Sequence, residues 1–307
     1  MKNEKMRLMS HNNLLIIGNF DGVHKGHQAL IAHAKNYAVA HGLKLVAVTF
    51  APHPRFYFNP TLEPFLLTSH DDKAILLKTY GVDETVILPF DHALSQLSAP
   101  AFIEEILVKS LGAKHIMVGH DFAFGQKRTG TIATLHDYGP RFGFTAEAMA
   151  GVGDEDGAIY SSSRIRAAIK EKNLIEAEAL LGHAWWLSGE VIHGDKRGRL
   201  IGYPTANMLL ADYLRPPFGV YATKIQIEGD NKIYHGATNI GIRPMFESKT
   251  PLIETYLFNF SADIYGKKLK IYPRFFLRGE EKYDGLEALK AQIAKDCDLA
   301  SIMLKSD

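Results

Sequence analysis

Residues 18–27 read Gly18-Asn19-Phe20-Asp21-Gly22-Val23-His24-Lys25-Gly26-His27. Glycines at 18, 22 and 26 let a backbone turn sharply and approach a ligand, and a helix opening after such a turn directs its first amides at an anion. His24 and His27 stand three residues apart, so at a helix start both imidazoles face the same side and can offset charge developing on one phosphate. In isolation a His-x-x-His pair also reads as two metal ligands or as two solvated histidines. The zinc reading has no obvious third and fourth ligand nearby, and the only cysteine is Cys297.

Two further segments end apolar runs and would reach the same edge of a parallel sheet. They are Thr49-Phe50-Ala51-Pro52-His53-Pro54 and Val118-Gly119-His120-Asp121-Phe122-Ala123-Phe124-Gly125. Ligands collect outside the carboxyl ends of such strands, although prolines that merely stop a strand explain Pro52 and Pro54 equally well. Ser161-Ser162-Ser163-Arg164-Ile165-Arg166 places three hydroxyls at a helix start, followed by two guanidinium groups. Any one serine there could be a cap, but hydroxyls, helix amides and an arginine fork together suit the phosphates of a nucleotide.

The C-terminal half carries a second constellation, Gly194-Asp195-Lys196-Arg197-Gly198-Arg199-Leu200-Ile201-Gly202-Tyr203 followed by Pro204-Thr205-Ala206-Asn207. A glycine-punctuated basic loop can lie close against phosphate, and Thr205 and Asn207 offer the hard oxygens that Mg²⁺ prefers. The same loop could be a hairpin with solvated charges. No Gly-x-x-x-x-Gly-Lys-Ser/Thr run exists in the chain, so a P-loop is excluded.

These residues need elements to hold them. Apolar runs at 14–17, 45–50, 85–88, 115–118 and 145–148 have the length of buried strands, with helical segments between them. One helix follows His27 and stops at Gly42, a second opens at Ser69 and stops at Gly81, and a third spans 100–112. Strand and helix in alternation predict a parallel, Rossmann-like α/β sheet covered on both faces. Two helical stretches follow, to Ile169 and from Leu174 to Leu181. Beyond Leu187 short segments (189–192, 219–227, 232–238, 252–258 and 268–272) are rich in β-branched and aromatic residues and separated by turn residues, which predicts an antiparallel sheet or barrel with a helix from Leu286 to about Lys295. The change of texture near 182–186 divides the chain into 1–183 and 184–307.

Bulk properties narrow the classes. At 307 residues the chain exceeds the roughly 150 of a typical domain. With 35 basic and 34 acidic residues, net charge +1, no global field recruits nucleic acid or an anionic membrane. One cysteine cannot form an internal disulfide, the N-terminal residues are polar, and the run 14–17 is far too short for a span of ~20 residues; a cytoplasmic protein is expected. Self-association is left open.

In order and spacing, the Gly-x-Phe-Asp-Gly-x-His-x-Gly-His turn, Thr-Phe-x-Pro-His-Pro, Gly-x-Asp-Phe-x-Phe-Gly and Ser-Ser-Ser-Arg-Ile-Arg resemble the adenylyltransferase module of the bacterial bifunctional riboflavin kinase/FMN adenylyltransferases. The family's Ser-Ser-Thr run stands here as Ser161-Ser162-Ser163. Gly-Asp-Lys-Arg-Gly-Arg, Pro-Thr-Ala-Asn, Gly219-Val220-Tyr221, Asn239-Ile240-Gly241, Ile253-Glu254-Thr255-Tyr256-Leu257 and Leu277-Arg278-Gly279-Glu280 resemble its riboflavin kinase module. The resemblance implies a nucleotidyltransferase α/β domain followed by a six-stranded barrel, with riboflavin, FMN, FAD, ATP, ADP and pyrophosphate as substrates and products. It also implies Mg²⁺, held with phosphate by Thr205 and Asn207, and Glu254 as the kinase base. His24 and His27 become catalytic. Gly18, Phe20, Asp21, Gly26, Ser162, Ser163, Arg166, Gly194, Lys196, Gly198 and Gly202 become nucleotide or phosphate residues, and Pro54, Asp121, Phe122 and Arg278 flavin residues. Two other readings stay in view: one module reduced to a flavin-binding regulator, and an adenylyltransferase for another phosphorylated acceptor.

Overall fold

The computed structural model describes residues 12–194, 197–242 and 251–307. By contacts they form two compact units, one of residues 12–62 with His70–Ser161, the other of Glu63–Ser69 with Ser162–Asp307. The division by texture at 183/184 and the division by contact therefore differ in where residues 63–69 and 162–183 belong.

The first unit runs β1 (Asn13–Ile17), α1 (Lys25–His41), β2 (Lys44–Ala51), α2 (Pro54–Phe58), α3 (His70–Thr79), β3 (Glu84–Pro89), α4 (His92–Gln96), α5 (Ala99–Ala101), β4 (Ala113–Gly119), α6 (Ile132–Phe142) and β5 (Thr145–Met149). All five strands are parallel, in the order β3-β2-β1-β4-β5. The order reverses at β1, so the crevice for a ligand lies beyond the carboxyl ends of β1 and β4. Their side chains are apolar on both faces because helices cover both: Leu15, Ile17, Val46, Val48, Ile116 and Val118 pack into one core with Ile103, Leu107 and Leu135. Each such side chain removed from water contributes about 1.5–3 kcal/mol. Gly42 closes α1 in the left-handed conformation, as its position after the last helical residue predicts.

Several details depart from the pattern, among them the short α4, which was not expected. The helix expected over 100–112 is short at α5 and continues over Phe102–Ser110 as a wider coil, in which the Leu111 amide donates to the Ile106 carbonyl five residues back. α2 and α6 were not expected. α6 contains Gly139 and Pro140, which read as breakers, but a proline near a helix end still lets the preceding turns form.

The second unit runs α7 (Ser162–Lys170), α8 (Leu174–Leu181), β6 (Leu187–Glu190), α9 (Arg197–Leu200), β7 (Ala206–Leu209), β8 (Gly219–Ile227), β9 (Ile233–Gly241), β10 (Leu252–Leu257), β11 (Lys268–Arg278) and α10 (Leu286–Lys305). Six antiparallel strands follow the order β6-β11-β8-β9-β10-β7, and a bridge between Ile192 and Asn207 joins the two ends into a nearly closed barrel. Inside it the hydroxyls of Thr223, Thr238 and Thr255 form a buried chain across three strands, at 2.8 and 3.0 Å. Each hydroxyl thus finds in its neighbour the partner that burial would otherwise remove. β7 lies where the sequence suggested a loop, β11 extends beyond Tyr272 to Arg278, and α10 continues past Lys295 to Lys305.

α10 is tied to the barrel at its end. The Asp307 carboxylate accepts two hydrogen bonds from Arg274, both 2.8 Å, and lies 2.8 Å from the Lys224 ammonium. Glu178 of α8 takes the remaining edge of Arg274. The hydrogen bonds from Arg274, more than any other cause, hold the Asp307 carboxyl down at about 2. A group depressed in this way stabilises the fold above its unfolded value and loses that contribution as pH falls through about 2. Asp307→Asn is expected to cost about 1–3 kcal/mol at neutral pH, the worth of hydrogen bonds to a charged group. In denaturant titrations its difference from wild type should shrink steadily below about pH 4, the unfolded carboxyl value. A difference that does not change with pH would mean that packing, not the charge, is what the substitution removes.

Candidate functional sites

In the first unit the chain leaves β1 through Gly18, whose amide donates to Val48 at 3.1 Å. It then turns through Phe20 (φ 48), Gly22 (φ 82) and Val23 (φ 41). A positive φ in Phe and Val is strained and persists only where the surroundings enforce it. The Phe20 ring supplies that enforcement, being buried in the core and edge-on to His27 with centroids 5.2 Å apart. His24 caps α1 without a side-chain cap bond, and no acidic residue stands in the first turn, so neither offsets the positive end of α1.

The imidazoles of His24 and His27 are stacked, centroids 3.7 Å apart and planes 22° from parallel. The His27 residue keeps some exposure, but its Nδ1 is enclosed and has no hydrogen bond. Burial above all, then the charges of His24 and Lys73, push His27 well below the usual histidine range. A Cβ on Gly26 would meet the His24 ring at 3.2 Å and Tyr160 at 3.4 Å, so a larger residue where α1 begins would press on the histidine stack. Asp121 follows β4, exposed at the strand's carboxyl end beside Gly119, and Phe122 stacks on Phe124 at 5.5 Å. Pro54 opens α2 after its cap His53, whose Nδ1 accepts from the Arg55 amide at 3.1 Å. The turn, Asp121 and Pro54 thus share the carboxyl edge of one sheet, as expected from their positions after strands. Ser162 and Ser163 open α7 in the second unit, where Arg166 donates to the Phe65 carbonyl at 2.8 Å and covers the Phe65 ring at 5.0 Å.

The second unit has its own constellation around β7. Asn207 is 6 % exposed; its Nδ2 donates to the Thr205 carbonyl at 3.1 Å, while its Oδ1 is enclosed and finds no hydrogen bond among the described residues. A buried acceptor left in that state costs stability unless a ligand completes it. Gly194 passes so close that a Cβ would come within 2.6 Å of the Asn207 amide nitrogen. Gly194, Gly198, Arg199, Thr205, Asn207 and Tyr265 line a small polar recess. Gly202 turns at φ 88. Lys196 lies outside the described residues.

Glu254 on β10 stands directly across from Asn207 on β7 and from Asn239 on β9. Directly opposed residues of antiparallel strands bring their Cβ atoms to about 4.5–5.5 Å on the same face. A carboxylate and a free amide oxygen therefore face one site. Glu280, which the sequence did not single out by itself, lies over Gly241, where a Cβ would collide with its carboxylate. Burial first, then the charge of Glu254, raises the Glu280 carboxyl. Arg278 is engaged elsewhere: Nε lies 3.0 and 3.1 Å from the two Asp296 oxygens and NH2 lies 2.7 Å from one of them.

The donor set suits Mg²⁺. Among the described residues no cluster of three or more His, Cys, Asp or Glu could hold a metal ion. An amide oxygen and a threonine hydroxyl are oxygen donors of the kind that Mg²⁺, unlike zinc, prefers. Among these residues no helix is long and apolar enough to cross a membrane.

Two family models match the chain, that of FAD synthetase over residues 7–164 and that of riboflavin kinase over 181–304. The bifunctional riboflavin kinase/FMN adenylyltransferase of Haemophilus influenzae is 38% identical over 292 residues, covering 95% of this chain and 94% of its own. That of Listeria monocytogenes is 40% identical over 290 residues, covering 93% and 90%. A solved structure from Streptococcus pneumoniae, described as a macrolide-efflux protein, superposes with a TM-score of 0.80 at 33% identity and covers 96% of both chains.

Proposed function

Because the chain belongs to the bifunctional riboflavin kinase/FMN adenylyltransferase family, with a C-terminal module that phosphorylates riboflavin and an N-terminal one that adenylylates FMN, we propose how its residues divide the two reactions. The observation that carries the reading is that each module owns a separate phosphate-type constellation, a stacked histidine pair on a tight turn and a glutamate across from an unsatisfied asparagine.

In the kinase module the 5′-hydroxyl of riboflavin attacks the γ-phosphate of ATP. An alcohol is a poor nucleophile until its proton has an acceptor, and Glu254 is that acceptor. Thr205 and Asn207 would hold Mg²⁺, which would supply offset of charge on the transferred phosphoryl group. Gly194, Gly198 and Gly202 let the backbone approach the nucleotide, and Lys196 and Arg278 are carried over from the family pattern as phosphate and flavin residues. In the adenylyltransferase module the nucleophile is already an anion, the phosphate of FMN, so no base is required. The chemistry asks for alignment of two repelling phosphates and stabilisation as pyrophosphate leaves, which falls to His24, His27 and the amides of the Gly18–Gly26 turn. Asp21, Phe20, Ser162, Ser163 and Arg166 are proposed for ATP, Pro54, Asp121 and Phe122 for the flavin. The site of action is proposed to be the cytoplasm.

The test is product analysis by HPLC after incubation of riboflavin with ATP and Mg²⁺. FMN followed by FAD is expected; FMN alone would leave the N-terminal module without its proposed role, and no FMN would remove the role of Glu254. We also propose 183/184 as the functional boundary. A chain beginning at His183 should phosphorylate riboflavin, yet unfold at a lower temperature than the same module in the full chain, because it lacks the Glu178–Arg274 pair and the Lys172 ammonium over Phe276. A folded but inert fragment would place a kinase residue before 183.

A further inference from the structure

This inference rests on the reading of the Gly18–His27 turn as the adenylyl-transfer site. α3 carries its apolar residues Leu76 and Leu77 inward, and Lys73, three and four positions before them, lies on the same buried face. Its side chain is 1 % exposed. Lysine almost never occupies such a position unless paired. Among the described residues, however, its ammonium makes neither a hydrogen bond nor an ion pair. Asp72, its equally buried neighbour, has interactions of its own.

Lys73 is coupled electrostatically to two residues of the turn. Burial pulls Lys73 below the usual lysine range, and the charge of Asp21, itself 2 % exposed in the turn, acts in the opposite direction. Lys73 in turn adds to burial and His24 in lowering His27. The buried ammonium is therefore within electrostatic reach of the turn from both sides of the sequence, next to a histidine whose Nδ1 has no partner. A buried cation coupled to the turn and two stacked imidazoles form a place that favours an anion, with the Asp21 carboxylate acting against it.

We propose that Lys73 is a further residue of the adenylyl-transfer site, a buried ammonium that takes up a phosphate oxygen of ATP or FMN beside the His24–His27 stack. The cost of keeping it buried, only partly offset by the Asp21 charge in the free protein, is relieved when the phosphate arrives. Replacing a buried charge that lacks a hydrogen-bonded partner with an apolar side chain of similar volume is neutral or stabilising, whereas a lysine kept for stability predicts a lower thermal midpoint on the same replacement.

Lys73→Met in the full chain separates the two. Adenylylation of supplied FMN should fall by about 10²–10³-fold in kcat/KM, the usual consequence of removing one preorganised charge-stabilising donor. Riboflavin phosphorylation in the same preparation should be unchanged, and the thermal midpoint unchanged or higher. A rise confined to the KM for ATP assigns the ammonium to the nucleotide, and one confined to the KM for FMN assigns it to the flavin phosphate. Wild-type adenylylation in Lys73→Met, or a loss accompanied by a lower midpoint, would overturn the proposal. If the wild-type chain makes no FAD from FMN and ATP, the assignment of the turn fails, and this proposal with it.

Discussion

A chain with both His24 and His27 replaced by alanine is expected to make no detectable FAD from riboflavin and ATP, while FMN accumulates as in wild type. The two rings stack 3.7 Å apart at the start of α1, so they address one phosphate group rather than two. Loss of a single preorganised donor commonly costs about 10²–10³-fold. Residues that act as a unit do not multiply, so the double variant should be little worse than the more damaging single one. HPLC of the flavin products reads both reactions in one tube, and FAD formation at the wild-type rate would remove the turn from adenylyl transfer. The same variant should change the pH dependence of stability. His27 in the folded chain resists protonation, chiefly through burial, whereas in the unfolded chain it accepts a proton near pH 6.5. Wild-type stability is therefore lost as pH falls below about 6.5, where the unfolded state binds more protons. The alanine variant lacks this contribution, and denaturant titrations from neutral to mildly acidic pH should show a shallower decline.

Glu254→Gln should abolish riboflavin phosphorylation and leave adenylylation of supplied FMN intact. Glutamine preserves the size of the side chain on β10 and one acceptor oxygen but cannot take the hydroxyl proton, so the substitution tests basicity with little loss of packing. General-base removal typically costs ~10²–10⁴-fold, which stands clear of a modest folding defect. Both rates should be taken on one preparation at saturating substrates. The neighbouring Glu280 supplies a second reading, because its carboxyl is raised by burial and then by the Glu254 charge. With that charge gone, Glu280 should titrate closer to the ordinary carboxylate range, a shift that side-chain carboxyl NMR can follow. A kinase rate close to wild type would make Glu254 a structural residue, and the proton would then have to leave by way of the γ-phosphate.

Much of the architecture was legible because its signals are local. Apolar runs marked β1 to β5 because a parallel sheet is covered on both faces and its strands need no alternation. The glycine-rich turn announced itself through residue type, and Gly42 and Gly182 marked helix ends by the left-handed conformation they adopt. β7 was read as a loop because four residues containing a buried Asn carry no strand pattern; only pairing with β10 makes them a strand. α6 went unread because Gly139 and Pro140 suggest a break. Gly139 is required there, since a Cβ would press on the Phe144 carbonyl at 2.6 Å.

The sites divide along the same line. The sequence by itself determined which residues are proposed for phosphate chemistry, since His24, His27, Thr205, Asn207 and the glycines around them suggest that chemistry by type and spacing. The tertiary structure decided which of them meet. Glu254 faces Asn207 only through the antiparallel register of β10 on β7, and Glu280 comes beside them only because the chain after β11 returns over Gly241. Lys73 did leave a trace, a charge at helical spacing on an apolar face, but charged residues at such spacing are ordinarily solvated. Its significance is a matter of burial, which depends on what the rest of the fold places around α3 and which no run of neighbouring residues can specify.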